Sequence, residues 1–439
     1  MPPGSRWRMS KSMEPGLEAR QDERIIRAAE SVIDEAVEFT RELIRIPTVN
    51  PPGEFYEDGA RCIGKWLHRA GFSAEYIAAE GMVEHTPKHP RVNVIGRREG
   101  ARPGKTLHMN GHFDVVPAGR GWTKDPFGAE IADGKIYGRG TCDMKAGIAA
   151  GLFAAEALRR AGVEMGGAIE ISGTVDEESG GYAGVAYLCK TGRVTAQNTH
   201  FAIIPEPLNV DRICVGHRGV YWFDVVTHGR IAHGSMPYLG HSAIDDMGAI
   251  LEAIRTELQP ELAKRLTKVP VVPELSRRAT LNVNTVSGGQ VGEDVQSPCV
   301  ADRAHAIFDR RFLLEEGFDA TKVEIQRLLE SVAARVPGLR YDLIDRMVVY
   351  PTATPENSPV TLSLQAAISR VLHKEAQIIA SPGTYDQKHF DRIGNIPHTV
   401  AYGPGVLDLA HQPDEWVGIE DLKNSIAVLA IATAKLLNH

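Results

Sequence analysis

Three acidic residues in succession, Asp176, Glu177 and Glu178, close an apolar run in the stretch "TVDEESGG". Adjacent carboxylates repel, so a chain that keeps them together must face them with positive charge. Residues of matching donor chemistry recur elsewhere. His112 and Asp114 lie in "HMNGHFDVVP", Asp143 in "GRGTCDMKAG", Glu206 in "IIPEP" and His411 in "LAHQPDEW". Imidazole and carboxylate are the ligands that borderline dications such as Zn²⁺ take at about 2.0–2.2 Å. Taken singly, each site has an ordinary reading: a surface His-x-Asp pair, a helix N-cap at Asp143, an exposed turn at Glu206, a solvated loop at His411. Taken together, two imidazoles and several carboxylates are the inventory of a two-metal hydrolase. There, two cations about 3.5–4 Å apart need an anion between them.

Such residues need a scaffold that gathers distant segments. The runs "RVNVIG", "TLHMNGH", "AIEISGTV" and "FAIIPE" read as strands. Helical periodicity covers "ERIIRAAESVIDEAVEFTRELIRI", 58–70, "KAGIAAGLFAAEALRRAG" and 182–189. This alternation predicts an α/β fold: a mostly parallel sheet with helices on both faces. Open α/β sheets place their sites at strand ends, where most of the candidates fall. After Pro207 the rhythm changes. Strands "VYWFDVVTH", "TLNVNTVSG" and "CVADRAHAIFDRR" alternate with helices "SAIDDMGAILEAIRTEL" and 319–336, a β-α-β-β-α order that fits a small α+β unit of ferredoxin-like type. The first rhythm then resumes with a helix over 360–375, strands "AQIIAS" and "PHTVAYG", and a closing helix over 420–437. The predicted organisation is a flexible tail (1–22), a catalytic domain from 23–212 and 339–439, and an inserted lid or dimerisation domain at 213–338.

The totals are consistent with this. A chain of 439 residues suffices for two or three domains, and 43% hydrophobic with 24% charged residues is ordinary for a soluble globular protein. The net charge of −7 argues against a general nucleic-acid or membrane-surface binder. The cysteines Cys62, Cys142, Cys189, Cys214 and Cys299 are scattered, odd in number and without a CxxC pair, which fits a reducing cytoplasm. The first 22 residues lack the apolar core of a secretory signal, and no window approaches a membrane span.

In their order and wording, "GHFDVVP", "GRGTCDMKAG", "DEESGG", "PEP" and "AHQPDEW" resemble the co-catalytic metallopeptidase clan of acetylornithine deacetylase, succinyl-diaminopimelate desuccinylase, aminoacylase-1 and the glutamate carboxypeptidases. The resemblance runs from about Ile44 to the C-terminus. It implies two divalent ions, Zn²⁺ first, with Mn²⁺ or Co²⁺ accepting the same ligands. His112 and Glu206 would hold one ion, Glu178 and His411 the other, and Asp143 both. Glu177 would be the general base of a metal-activated water that cleaves a C–N bond, and Asp114 would orient His112. In the lid, "GRIAHGSMPYLGHSAI" would bring His233 to a neighbouring subunit's site as donor to the developing oxyanion, which implies a homodimer or higher homo-oligomer. Asn282 and Arg310 or Arg311 stand where relatives hold a substrate carboxylate. Two departures, "GEDVQSPC" and "PGTYDQKHF", put the familiar substrates in doubt, and Tyr385 in the second would turn an aromatic ring towards the pocket.

Three substrate readings stay open: deacylation, cleavage of a small peptide, and hydrolytic deamination of an unusual aromatic or xenobiotic amine in a catabolic pathway. A non-catalytic homologue would have lost a ligand or the base, and none is missing. A cysteine hydrolase using Cys142 would need a paired histidine, and none is evident; Cys142 reads better as a small buried residue. Asp176 is left as either a brace behind the other acids or a cap for the following turn. In a straight strand Glu177 and Glu178 point to opposite faces. Both can meet the ions only if the strand ends there, and Ser179-Gly180-Gly181 suits a turn.

Overall fold

A computed structural model describes residues 15–289 and 298–438. The chain divides into two compact units. One takes the described residues up to Val215, Thr354–Ile378 and the chain from Tyr385 onward; the other takes Gly216–Ala353 and Ile379–Thr384.

The sheet of the first unit runs in the order Ser73–Ala78, Val92–Glu99, Gly166–Thr174, Arg102–His112, Phe201–Ile204, Thr399–Ala401, Arg212–His217. It is parallel through its centre, where Arg102–His112 lies between Gly166–Thr174 and Phe201–Ile204 and Thr399–Ala401 follows. Its margins are antiparallel. The central strands are wholly or largely buried, as a sheet covered on both faces requires. The alanine-rich helix Ala146–Arg160 and the closing helix Ile419–Asn438 pack together against Arg102–His112 and Gly166–Thr174. Helix Tyr56–Arg69 covers Val92–Glu99. Parallel strands share a direction, so the C-terminal ends of three central strands lie side by side. His112 pairs in register with Thr174, just ahead of the acidic trio, and Glu206 follows Ile204 by two residues.

In the second unit an antiparallel sheet is ordered Thr280–Gly288, Arg303–Phe312, Gly219–His228, Tyr341–Val349. With helices Ala243–Ala253 and Phe318–Arg335 this is the ferredoxin-like arrangement. Its core gathers Tyr221, Phe223, Phe308, Phe312, Met247, Ile250 and Leu329.

Two expectations are corrected. The inserted unit does not end at 338 but runs to Ala353, because strand Tyr341–Val349 pairs with Gly219–His228 and completes its sheet. Residues 15–22 are not tail but the start of helix Pro15–Ser31, with Pro15 at the first helical position, where its missing N–H costs nothing. Glu18 pairs with Lys435, the Ala19 carbonyl accepts from Arg370 (3.2 Å), and Ile25 and Ala29 are fully buried. The stretch has few apolar residues but good helix formers, and these contacts with the C-terminal helices fix it. Residues 1–14 of the expected tail, and most of "GEDVQSPC", lie outside the described residues.

Candidate metal centre

Two donor triads form in the first unit. His112, Asp143 and Glu206 make one, Asp143, Glu178 and His411 the other, and within each triad the donor atoms lie within 4.8 Å of one another. Asp143 belongs to both. Its Oδ1 is 3.0 Å from His112 Nε2 and its Oδ2 is 3.5 Å from His411 Nε2. Glu206 Oε1 is 4.0 Å from His112 Nε2, and Glu178 is 3.1 Å from His411 Nε2. Asp143 is not an N-cap. Its backbone is extended (φ −116°, ψ 96°) and the helix behind it begins at Ala146.

Asp114 organises the start of the trio. Its carboxylate accepts the backbone N–H groups of Glu177 and Glu178 (both 3.2 Å) and the Asn50 amide (2.9 Å). Its backbone carbonyl lies 3.0 Å from His112 Nδ1, so that nitrogen donates, and the ring turns Nε2 towards Asp143 and Glu206. The strand does end at the trio. Asp176 takes a left-handed conformation (φ 62°), the chain makes one tight turn over Glu177–Ser179, and Gly180 and Gly181 continue at φ 113° and 76°. A Cβ on Gly181 would meet Asp386 Oδ1 at 2.4 Å, so only glycine fits. Of the two roles considered for Asp176, the brace holds and the side-chain cap does not. Its side chain, almost fully buried, accepts from Tyr56 Oη (2.8 Å) and pairs with Arg91 (3.0 Å), while its carbonyl accepts from Ser179 and Gly181.

The electrostatics are those of crowded acid. Burial, with Asp143 adding to it, pushes the Glu206 carboxyl well above its usual range, and burial raises Glu178 to about 7 against the pull of His411. Burial also raises Glu177, with Lys388 Nζ opposing it from 3.8 Å. For Asp143 burial acts upward, but the His112 and His411 imidazoles outweigh it and hold the group low. His411, bonded to Asp143 and Glu178, is raised to about 10. A nest of four largely enclosed carboxylates, one buried imidazole and one exposed imidazole meets the donor requirement of two divalent cations, which would relieve the desolvation that raises the carboxylates. When bound, such ions polarise a carbonyl and acidify a water molecule.

Several residues here escaped sequence reasoning. In "PGTYDQKHF" the Tyr385 ring is buried and its hydroxyl donates to Gln387 (2.5 Å). The neighbours of the trio are instead Asp386, held by Asn110 (3.1 Å), Lys388 beside Glu177, and His389, whose Nε2 meets the Gly180 carbonyl at 2.7 Å. Three charged residues within four positions, directly after a glycine-containing loop, were the available signal. Burial drives the Cys142 thiol well above its normal range, so a thiolate nucleophile is not on offer.

In the second unit, His233 is exposed and its Nδ1 accepts from Ser235 N–H (3.1 Å), which leaves Nε2 to carry the proton. Asn282 is exposed and bonds to Asn284. Arg311 pairs with Asp309 at 2.8 Å and 2.9 Å. Arg310 is corrected as a substrate ligand: it is fully buried, and its guanidinium is committed to Glu316 (2.8 Å) and the Arg311 carbonyl (2.6 Å).

Comparison with known proteins meets this geometry from outside. A family model described as Peptidase family M20/M25/M40 matches residues 108–435. Succinyl-diaminopimelate desuccinylase of Methylorubrum extorquens is 30% identical over 404 residues, covering 88% of this chain and 94% of that protein. Human carnosine dipeptidase 1 has a TM-score of 0.72 at 20% identity, covering 95% of this chain and 98% of that one. Aminopeptidase PepT from Bacillus cereus has a TM-score of 0.73 at 22% identity, covering 92% and 99%. At those identities the structural likeness is one of fold. The protein is a metal-dependent hydrolase of carbon–nitrogen bonds that acts on small molecules. More narrowly, the chain belongs to Peptidase family M20/M25/M40. Among the described residues no helix is long and apolar enough to cross a membrane.

Proposed function

We propose that the protein deacylates a small N-acyl amino acid, with Glu177 as general base and the two triads holding a pair of Zn²⁺ ions. The observation that carries the reading is the placement of Asp143, one oxygen towards His112 and the other towards His411, so that one carboxylate serves both triads. His112 and Glu206 take one ion, Glu178 and His411 the other. Glu177 belongs to neither triad yet sits beside them, which frees its carboxylate to take a proton from the attacking water and pass it to the departing nitrogen. Lys388, 3.8 Å away, opposes the rise in basicity that burial produces and keeps the group able to work in both directions. An acyl group ending in a carboxylate, such as succinyl, is the first candidate, supported by the desuccinylase relative. A second copy of the chain would supply His233, whose protonated Nε2 suits donation to the oxyanion. The five free cysteines suit work in a reducing cytoplasm.

The test is metal analysis of the purified protein together with a screen of N-succinyl and N-acetyl amino acids, dipeptides and aryl amines. Two equivalents of Zn²⁺, activity lost to a chelator and restored by metal, and turnover of an N-acyl amino acid are expected. Metal-free protein with undiminished hydrolysis would overturn the reading, and turnover confined to aryl amines would replace deacylation with deamination.

A further inference from the structure

We infer that the buried ion pair of Arg139 and Glu415 is a positioning pair that fixes the second of the two ion sites by holding the His411 loop against the Asp143 segment. The inference rests on the two-ion reading above and assigns a role to two residues outside both triads. Arg139 and Glu415 are 1% and 0% exposed, and Arg139 Nη1 lies 2.6 Å from Glu415 Oε2. What each partner does with its remaining bonds is the argument. Glu415 Oε1 accepts the backbone N–H groups of Cys142 (2.8 Å) and Asp143 (3.1 Å). Arg139 donates to the backbone carbonyls of His411 (3.2 Å), Gln412 (3.3 Å) and Ala118 (3.2 Å). One pair thus ties together the segment of the shared carboxylate, the loop of His411, and the chain leaving His112.

The two triads do not depend on it equally. His112 ends a central strand and Glu206 follows the neighbouring one, so the sheet itself places them. His411 has no such support. It lies on a loop with a left-handed backbone (φ 63°), and its side chain is 48% exposed. A planar guanidinium meeting a carboxylate and three carbonyls at once is a task a lysine ammonium cannot repeat.

The test is calorimetric titration of the metal-free full chain with Zn²⁺ alone. Arg139→Met/Glu415→Gln removes both charges together and keeps an acceptor oxygen for the Cys142 and Asp143 amides, while Arg139→Lys keeps the charge and loses the fork. Far-ultraviolet circular dichroism and thermal unfolding in chelator select the variant that remains folded. The parent is expected to bind two ions. The folded variant should bind one with parental affinity and the other 10- to 100-fold more weakly, the range typical for partners standing behind metal ligands. Two ions bound at parental affinity by a folded variant, or equal weakening of both, would overturn the inference. A parent that binds no Zn²⁺ would instead overturn the two-ion reading on which it rests.

Discussion

Glu177 and Glu178 are neighbours with different proposed work, and paired isosteric substitutions separate them. Glu177→Gln keeps everything the residue does for the fold. Its backbone N–H still donates to Asp114 (3.2 Å) and its carbonyl still accepts from Gly180 (2.8 Å). The loss is the charge and the proton. A charge pair 3.8 Å apart is worth about 4 kcal/mol of Coulomb energy at an effective dielectric of 20, before desolvation is subtracted. Lys388 is not stranded in the variant, because Asp386 also lies within its electrostatic reach. Stability should therefore change little. A general base that both takes and returns a proton contributes about 10³- to 10⁴-fold, roughly 4 to 5.5 kcal/mol of barrier. We expect kcat to fall by that factor, KM to move by less than threefold or so, and Zn²⁺ stoichiometry to stay at the parent's value. Glu178→Gln should do the converse: one ion lost or weakened, with activity partly recovered at high Zn²⁺. Steady-state kinetics beside metal analysis reads both. If Glu177→Gln sheds an ion, or keeps its rate within about tenfold, the division of labour between the two acids is wrong.

Three further substitutions probe the scaffold. In Gly147→Ala the new methyl would sit 2.1 Å from the Pro205 carbonyl, the residue before Glu206, so the strand end must shift; a stability loss of about 1–3 kcal/mol and weaker binding at the His112 side are expected from denaturation and metal titration. Asp176→Asn leaves Arg91 buried without its counter-charge and should cost about 3 kcal/mol in chemical denaturation, with Zn²⁺ still bound. For Glu170 burial acts upward, but His108, Arg193 and Arg97 outweigh it and hold the carboxyl at about 2. Its folded value lies below the unfolded one, so its contribution is complete above pH ~4.5 and is lost as pH falls towards ~2. The gap corresponds to roughly 3 kcal/mol. The stability of the parent should therefore fall more steeply than that of Glu170→Gln as pH drops through that window, and parallel curves would refute the assignment.

Most of the candidate centre was legible because its residues occupy strand ends, and strand ends can be found from apolar runs. His112, the acidic trio and Glu206 each follow such a run directly, and the order of the runs implied a parallel sheet that brings them together. Arg310 was legible too, but was read for its charge instead of its place. Ala304, Ala306, Phe308, Arg310 and Phe312 occupy alternate positions of one strand, and all are buried. The period of two that places the alanines and phenylalanines in the core places Arg310 there with them. What the sequence could not supply was the partner of each charge. Arg139 and Glu415 stand 276 residues apart, and Arg91 and Asp176 stand 85 apart. A charged residue in a loop has a solvated role by default, and only folding shows which of them are enclosed.

The acidic trio makes the same point at closer range. On sequence alone its crowding pointed to dications as the answer to the repulsion. In the folded chain each acid also has a cationic or imidazole partner of its own: Arg91 for Asp176 at 3.0 Å, Lys388 for Glu177 at 3.8 Å, and His411 for Glu178 at 3.1 Å. The three partners differ in kind, and the difference sorts the acids. A guanidinium in a buried, hydrogen-bonded pair fixes Asp176 as structure. An ammonium at longer range moderates Glu177 without engaging its oxygens fully. An imidazole that the two-ion proposal makes a metal donor would make Glu178 half of a ligand pair. Local repulsion is therefore answered before any ion arrives, and this lets the turn fold in advance and present Glu177 and Glu178 to the same space.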